Sequence, residues 1–440
     1  MLAPLVDIGR RLAFTAQSML RSRPGAGAFA ATVKGAALVS LIALLASCDP
    51  GSPTGAVLWT NQPEVASFVE SFHAFFPNLR IEVEYHDRPF VALSAAAERP
   101  DVIVTDGVPT AETSGLLRDL SPLDIAADDR ARMYSALLAY GRIEGRQTLL
   151  PVSFDLPIVV FPKGYQAVDT NHVHIDIETI GQIATDFNVW SGGRYVRMGF
   201  SPRWHDSFVY LVARTMGAGF QRAAGGGVAW DSQALEAALD YLRTWIAEAN
   251  GSAEAEQEFS DRYLYDPWDK LIDEDRVLFS VSSLADFLES PSDRTWNLDY
   301  RYISEESSIP VEEDVVVLAL TAGPTNNEAA EQFARWLFSF DTQEHLLTDS
   351  RDKNLDSFGI AGGLSSVIAV NRELFPRYYP DLLGAIPLSS NLEFPAPPPE
   401  LWLEMKDQVV EPWLVEQLGP TPRPESLRDR VDAWRRQQGE

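Results

Sequence analysis

The stretch that decides the fold is "AVLWTNQPEVASFVESFHAFFPNLRIEVEY", residues 56–85. Its opening is apolar enough for a short buried strand that ends at Thr60-Asn61. Pro63 then suits a first helical turn, and Val65, Phe68, Val69, Phe72 and Phe76 recur at the spacing of one helix face. From Ile81 the period changes to two, with Ile81, Val83 and Tyr85 alternating against charged residues. A short helix around 89–98 and the apolar run "DVIVTDG" (101–107) complete a strand, helix, strand, helix, strand order. That order predicts a parallel sheet with crossover helices.

Further along, residues 109–150 read as mainly helical. "LLPVSFDLPIVVFPKG" (149–164) is two extended apolar pieces broken at Pro151 and Pro157, either a strand pair or a crossing between two lobes. A helix over 176–190, a strand running into a loop in "VRMGFSPRWHD" (196–206) and a helix over 207–216 follow. Asp231 is placed to cap a helix over 232–249, whose Leu235, Leu239, Leu242 and Ile246 share one face. "RVLFSVSSLADF" (276–287) and "EDVVVLALTA" (313–322) contain buried strands, and "NNEAAEQFARWLFSF" (326–340) is an amphipathic helix. The tail from 400 is two helices separated by "GPTPRP".

The N-terminal part carries a different signal. "GAALVSLIALLASCDP" (35–50) is a short apolar run preceded by Arg10, Arg11, Arg21, Arg23 and Lys34 and closed by Cys48, the single cysteine of 440 residues. The run is shorter than the ~20 residues that span a bilayer. A basic segment, a short apolar core and small residues before a cut define an export signal. Leu45-Ala46-Ser47-Cys48 also resembles the bacterial lipobox, in which the cysteine is acylated and becomes the first residue. An ordinary signal peptide with an incidental cysteine, or a short anchor, is the alternative. On this reading residues 1–48 are a lipoprotein signal and 49–55, "DPGSPTG", a flexible tether.

The net charge is −27. Five basic residues and one acid precede Cys48, so the remainder is more acidic still. Such a surface repels phosphate backbones, which excludes nucleic acid, and offers no polybasic patch for a membrane. With Cys48 acylated no disulfide forms, and the 45% of hydrophobic residues must supply the core.

Taken together, the lipobox, the "VLWT…FVESFHAFFPNLRIEVEY" start, "PDVIVTD", the proline-flanked "LLPVSFDLPIVVFPKG", "VAWDSQALEAALDYLRTW" and the late "VVVLAL…NNEAAEQFARWLFSFDTQEHLL" resemble the extracellular solute-binding proteins of bacterial ABC importers, in their maltose-binding-like (family 1) group. The resemblance covers nearly all of 56–440. One departure is Phe161-Pro162-Lys163, where the family usually has a Tyr-Asn-Lys type sequence. The resemblance implies an α/β, two-lobed periplasmic-binding-protein-like fold (type II), each lobe a mixed sheet flanked by helices, with a ligand cleft between them. Lobe 1 would comprise 56–153 and 310–345, lobe 2 157–280 and 346–440, and the crossing segments 154–156 and 281–309. It also implies a small-molecule solute, ABC permease subunits as partners, attachment to a bacterial membrane through the N-terminal lipid, an extracytoplasmic location, and a monomer without cofactor.

Ligands in open α/β sheets lie beyond the C-terminal strand ends. That rule selects Trp59 and Asn61 after the first strand and Asp106 after a later one. Asp155, Arg203, Trp204, Ser282 and Ser283 are candidates from the crossing and the second lobe. Gly362 and Gly363 would let backbone approach a ligand closely. A sugar offers a C–H face to an indole and hydroxyls to carboxylates, so Trp59 and Trp204 with Asn61, Asp106 and Asp155 suit a carbohydrate. Arg203 would instead grip a carboxylate or phosphate. The alternative placement of each tryptophan is as a plug in a lobe.

An enzyme needs a positioned nucleophile, base or metal. The chain has no H-E-x-x-H, G-x-S-x-G or phosphate-cradling loop. His172-x-His174 is the only pair with metal-ligand spacing, and it reads better as a solvated loop. The expectation is therefore a non-enzymatic solute-binding component of an ABC importer, with carbohydrate favoured over a peptide or anionic solute. The competing expectation is a lipid-anchored sensing or surface-interaction protein that retains the fold.

Overall fold

The computed structural model describes residues 55–125, 132–223, 227–290, 297–323, 327–355, 357–399 and 401–438. The expected signal, Cys48 and nearly all of the tether lie outside them.

Alternation and apolar content place the first elements as expected. β1 (Ala56–Thr60), α1 (Val65–Phe75), β2 (Ile81–Tyr85), α2 (Pro89–Ala95) and β3 (Val102–Thr105) run in that order, and β1 pairs in parallel with both β2 and β3. Val65, Phe68, Val69 and Phe72 form the buried stripe of α1. The described residues of 109–150, expected as mainly helix, are instead short pieces: Ala111–Ser114, Ser121–Leu123, Ser135–Tyr140 and a hairpin over Arg142–Gln147. Pro109, Pro122, Gly115, Gly141 and Gly145 interrupt every run before it can propagate.

β4 (Leu150–Phe154) and β5 (Pro157–Pro162) are consecutive strands in different sheets. They are followed by β6 (His174–Asp176), α3 (Ile177–Phe187), α4 (Asp206–Thr215), α5 (Ser232–Ala249), α6 (Ala253–Tyr263), β7 (Ser280–Ser283), α7 (Leu284–Glu289), β8 (Leu298–Ser304), β9 (Val316–Leu320), α8 (Glu328–Leu337), α9 (Phe340–Asp352) and β10 (Leu364–Ser365). Trp402–Met405, Lys406–Val410 and Glu411–Gln417 form one helical run, α10, and α11 is Leu427–Gln438. The cap expected at Asp231 forms: its carboxylate accepts from the Gln233 and Ala234 N–H groups at the start of α5.

The first sheet has the order β10-β4-β9-β3-β1-β2, and β9 enters antiparallel to β3 and β4. The second has the order β7-β5-β8-β6, with β5 antiparallel to β7 and β8. Two hydrophobic cores follow from this division. Leu58, Val104 and Leu318 pack with Phe72, Phe333 and Leu337 in the first. Val159, Phe161 and Ile303 pack with Phe208, Leu239, Trp402, Leu414 and Val431 in the second. Residues 346–382, expected with the second lobe, belong in part to the first core, where Leu346, Leu347, Phe358, Val370, Phe375 and Leu382 are buried. The reason is that β10 pairs with β4 and holds the chain on the first sheet; only from Trp402 does it enter the second core.

Three chain passages between the sheets meet at one residue, Asp155. Its Oδ1 accepts from the Leu156 N–H at 2.7 Å, and its Oδ1 and Oδ2 accept from the Ala285 N–H at 3.3 and 3.2 Å. Its backbone carbonyl accepts from the Glu312 N–H. The β4–β5 passage, the β7–α7 junction and the β8–β9 connection are therefore tied together at Asp155, between the two sheets.

Candidate functional site

The C-terminal ends of β1 and β3 open onto a cavity of about 310 Å³. Asn61, Thr105, Asp106, Gly107 and the 87–90 turn form one wall; Leu401, Trp402, Leu403, Glu404 and Asp407 form the other. The first wall belongs to elements of the first core and the second to α10, which packs in the second core, so the cavity lies between the lobes. Arg88 and Glu404 close one side with an ion pair at 2.8 Å. A second cavity of about 330 Å³ shares Val108 and Pro398 with the first, and is lined by Arg142, Glu144 and Arg222. Arg222 Nη2 donates across to the Pro109 carbonyl at 3.2 Å. Each volume falls near the lower end of small-molecule sites, about 300–1,000 Å³, and the pair makes an elongated groove.

Two of the sequence candidates meet there. Asn61 Nδ2 donates to Asp106 Oδ1 at 2.7 Å, and Gln62 Nε2 donates to Asn61 Oδ1 at 3.1 Å. The Asn61 amide is thereby fixed at the cavity wall, and Asp106 keeps further acceptor capacity.

The other candidates have different positions. Trp59 does not line the cavity; it is 6% exposed, its Nε1 donates to Glu84 Oε2 at 2.6 Å and its ring lies 4.0 Å from that of His86. Trp204 stacks on Phe259 at 5.7 Å, lies against Trp268, and donates to Ser260 Oγ. Both plug lobe surfaces, because the alternation of β1 and the short 202–204 turn aim their rings inward. Arg203 does not face the cavity either: it pairs with Glu256 at 3.5 Å and donates to the Ala253 carbonyl and Gln257. Asp155 does not line the cavity; it holds the Leu156 and Ala285 N–H groups where the chain passes between the sheets. Ser283 Oγ caps α7 by accepting from the Asp286 N–H, and Ser282 is held in β7 opposite Ile158. Gly363 allows close approach, but to β4: a Cβ there would stand 2.7 Å from the Phe154 carbonyl oxygen. Gly362 supplies the positive φ of that turn, 76°.

The histidines are equally occupied. His172 Nδ1 pairs with Asp169 and His174 Nδ1 with Ser304, and among the described residues no group of three His, Cys, Asp or Glu side chains could hold a metal ion. His205 lies between Phe200 and Trp268; burial lowers it to about 4, and its Nε2 accepts from the Val281 N–H.

Sequence reasoning missed the charged floor behind the cavity. Glu312, Glu313 and Asp314 form the β8–β9 connection. Glu313 is 5% exposed; it accepts from Tyr210 Oη at 2.7 and 2.8 Å and from Trp402 Nε1 at 2.6 Å, with Lys406 Nζ at 3.8 Å. Burial pushes Glu312 up to about 6, with Asp314 and Glu313 adding to it and Lys406 and Arg214 opposing. Asp314 is open to solvent, yet its carboxyl is raised, by burial first and by Asp106 among its neighbours. Burial pulls the Lys406 ammonium down, but Glu312, Glu313, Glu411 and Asp314 together hold it above its usual value. Glu411 is pushed up to about 7 by burial, reinforced by Asp206, Glu312 and Asp407 against Lys406. The available signal was three consecutive acids immediately before a fully buried strand, an arrangement that leaves the acids little room to be mere surface.

No family model and no curated protein matches this sequence. Solved structures do match its fold. CpMnBP1 with mannobiose bound is 13% identical, with a TM-score of 0.58 over 86% of this chain and 98% of that one. An ABC substrate-binding protein from Listeria monocytogenes in complex with cycloalternan is 14% identical, with a TM-score of 0.57 over 88% and 99%. The maltose/maltodextrin-binding domain from Bdellovibrio bacteriovorus bound to maltotriose is 15% identical, with a TM-score of 0.53 over 87% and 99%. At these identities the likeness is one of fold. The chain accordingly has the two-lobed α/β fold of the maltodextrin- and oligosaccharide-binding ABC substrate-binding proteins.

Proposed function

We propose that this chain is an extracytoplasmic solute-binding protein that captures a small carbohydrate between its lobes and delivers it to an ABC permease, held at the membrane by a lipid on Cys48. The observation that carries the reading is the elongated inter-lobe groove with Asn61 and Asp106 at its wall, at the ends of β1 and β3. Three proteins with this fold were solved with oligosaccharides bound. The polar amide and carboxylate suit hydroxyl groups, and the apolar faces of Phe90 and Leu403 suit a sugar's C–H face. The acids of the floor disfavour an anionic solute.

Calorimetry against a panel of mono-, di- and trisaccharides tests the proposal. Binding of at least one, with the saccharide recovered unchanged, is expected. Hydrolysis of the bound sugar, or binding of peptides and no saccharide, would overturn it. For the anchor, Cys48→Ala is expected to abolish incorporation of a labelled fatty acid; equal labelling of both forms would refute lipidation.

A further inference from the structure

A stretch of backbone with little freedom runs between the two cavities. Residues 394–399 read Phe-Pro-Ala-Pro-Pro-Pro. Pro395, Pro397, Pro398 and Pro399 have φ fixed by their rings. Phe394, Ala396, Pro397 and Pro398 each precede a proline, which confines them to extended conformations. Every residue of this strap is therefore restricted, and such a run is a stiff spacer rising about 3.1 Å per residue. Both ends are held. Leu392–Glu393 pairs in parallel with Ile309–Pro310, and the Phe394 ring lies 5.5 and 5.3 Å from those of Tyr134 and Phe154 in the first core. Trp402, just beyond the strap, is 2% exposed in the second core.

The place of the strap in the groove is a separate observation. Pro398 and Pro399 line the first cavity, and Ala396, Pro397 and Pro398 line the second. Pro398, on the strap, and Val108, after β3, are the residues common to both linings, so they form a waist where the cavities adjoin. Pro398 is buried and Val108 half-buried. The chemistry of this wall is one-sided. Pro397, Pro398 and Pro399 have no N–H, and their carbonyls accept no hydrogen bond from the described residues. The strap contributes acceptors and apolar ring surface to the lining, and a sugar's hydroxyls and C–H groups are the complements of these.

We propose that Pro398 and Val108 determine the specificity of the groove. A solute that fills both cavities places the link between its two rings at the waist, and the strap selects among linkages by shape. This rests on the saccharide reading above; the waist itself rests on the cavity linings and the proline run. A flexible wall yields to a misaligned ring at small cost. This wall yields only by driving a proline away from its fixed φ, so the misfit stays with the solute as a clash.

The purified full-length chain is titrated by calorimetry with glucose, mannose, the α-1,4- and β-1,4-linked glucose disaccharides and the β-1,4-linked mannose disaccharide. One disaccharide is expected to bind at least about tenfold more tightly than its own monosaccharide and than a disaccharide of the other linkage. Pro398→Ala gives this position an N–H and a variable φ, and is expected to cut that linkage preference severalfold. Val108→Ala widens the waist from the opposite wall with the strap intact, and is expected to relax the same preference; it carries the test where Pro398→Ala does not fold, which thermal melting checks. An unchanged linkage preference in folded Pro398→Ala, or in Val108→Ala in its place, would overturn the proposal and leave the carbohydrate reading standing. A monosaccharide bound as tightly as every disaccharide would do the same. Binding of no saccharide by the parent would overturn the carbohydrate reading, and the waist's role with it.

Discussion

Replacing Asp155 separates a hinge role from a ligand role. In the parent its carboxylate takes the Leu156 N–H and the Ala285 N–H, both buried. The second donor lies in the first turn of α7, where no intrahelical carbonyl can reach it. Asp155→Ala leaves both donors without a partner at about 1–3 kcal/mol each, so a loss of about 2–4 kcal/mol is expected once partial relaxation is allowed. Against that stands the charge itself. Burial first, then Asp314, raises the Asp155 carboxyl well above its ordinary value. The folded state therefore holds this proton at pH values where the unfolded chain has released it, and its contribution to stability falls as pH rises above the unfolded value. Asp155→Asn keeps an acceptor oxygen for one donor and removes the charge. It is expected to lose less than half as much as the alanine variant at pH 5, and to recover relative to the parent between pH 5 and 8. Urea unfolding at both pH values, with the slope checked for constancy, measures this. An alanine variant with the parent midpoint, but with lost saccharide binding, would refute the hinge assignment and return Asp155 to the ligand site.

Other expectations are as definite. Glu411, pushed up to about 7 from 4.5, makes the folded state bind its proton more tightly across that interval, so stability falls as pH rises through it. Glu411→Gln should raise stability at pH 8 by up to about 3 kcal/mol and flatten the profile between pH 4.5 and 7; an unchanged profile by thermal melting would count against it. Trp59→Ala should lower stability by about 3–5 kcal/mol, as truncation of a buried aromatic does, and Trp204→Ala, half-buried on Phe259, by less; near-normal melting with weakened binding in either would restore a ligand-stacking role. Arg88→Ala removes a pair whose partners are 39% and 29% exposed, which limits it to about 0.2–1 kcal/mol. Small-angle scattering should show a modest shift toward open forms and affinity should change less than about fivefold; a larger change in affinity would mean that Arg88 touches the solute itself.

Local rules and long-range placement divided the legible from the illegible. The β1–α1–β2 unit, the helix over Ser232–Ala249 with its Asp231 cap, and the buried strand Val316–Leu320 could be read because period, cap chemistry and apolar runs are local quantities. The same rules failed over 109–150, where favourable composition was cut by proline and glycine at intervals shorter than a stable helix. Of the site, Asn61 and Asp106 were accessible through a positional rule, since strand ends of a parallel sheet open onto the crevice. Trp59 obeyed that rule only in sequence: as the penultimate residue of β1 its side chain follows the pleat, away from the cavity and onto Glu84 and His86.

The acidic floor escaped for a different reason. In a chain with 63 acids no single carboxylate stands out, and Lys406 becomes informative only when folding brings it from the C-terminal helix to Glu312, Glu313 and Asp314. That convergence also explains why the hinge and the groove are physically one system. Glu313 leaves the β8–β9 connection to bond Tyr210 and Trp402 of the second lobe, while the backbone N–H beside it, that of Glu312, bonds the carbonyl of Asp155. Any rotation of the lobes about Asp155 must move Asp106 relative to Glu404 and Asp407, because the first belongs to β3's end and the others to α10. Bringing those carboxylates together in a space that excludes water raises their mutual repulsion.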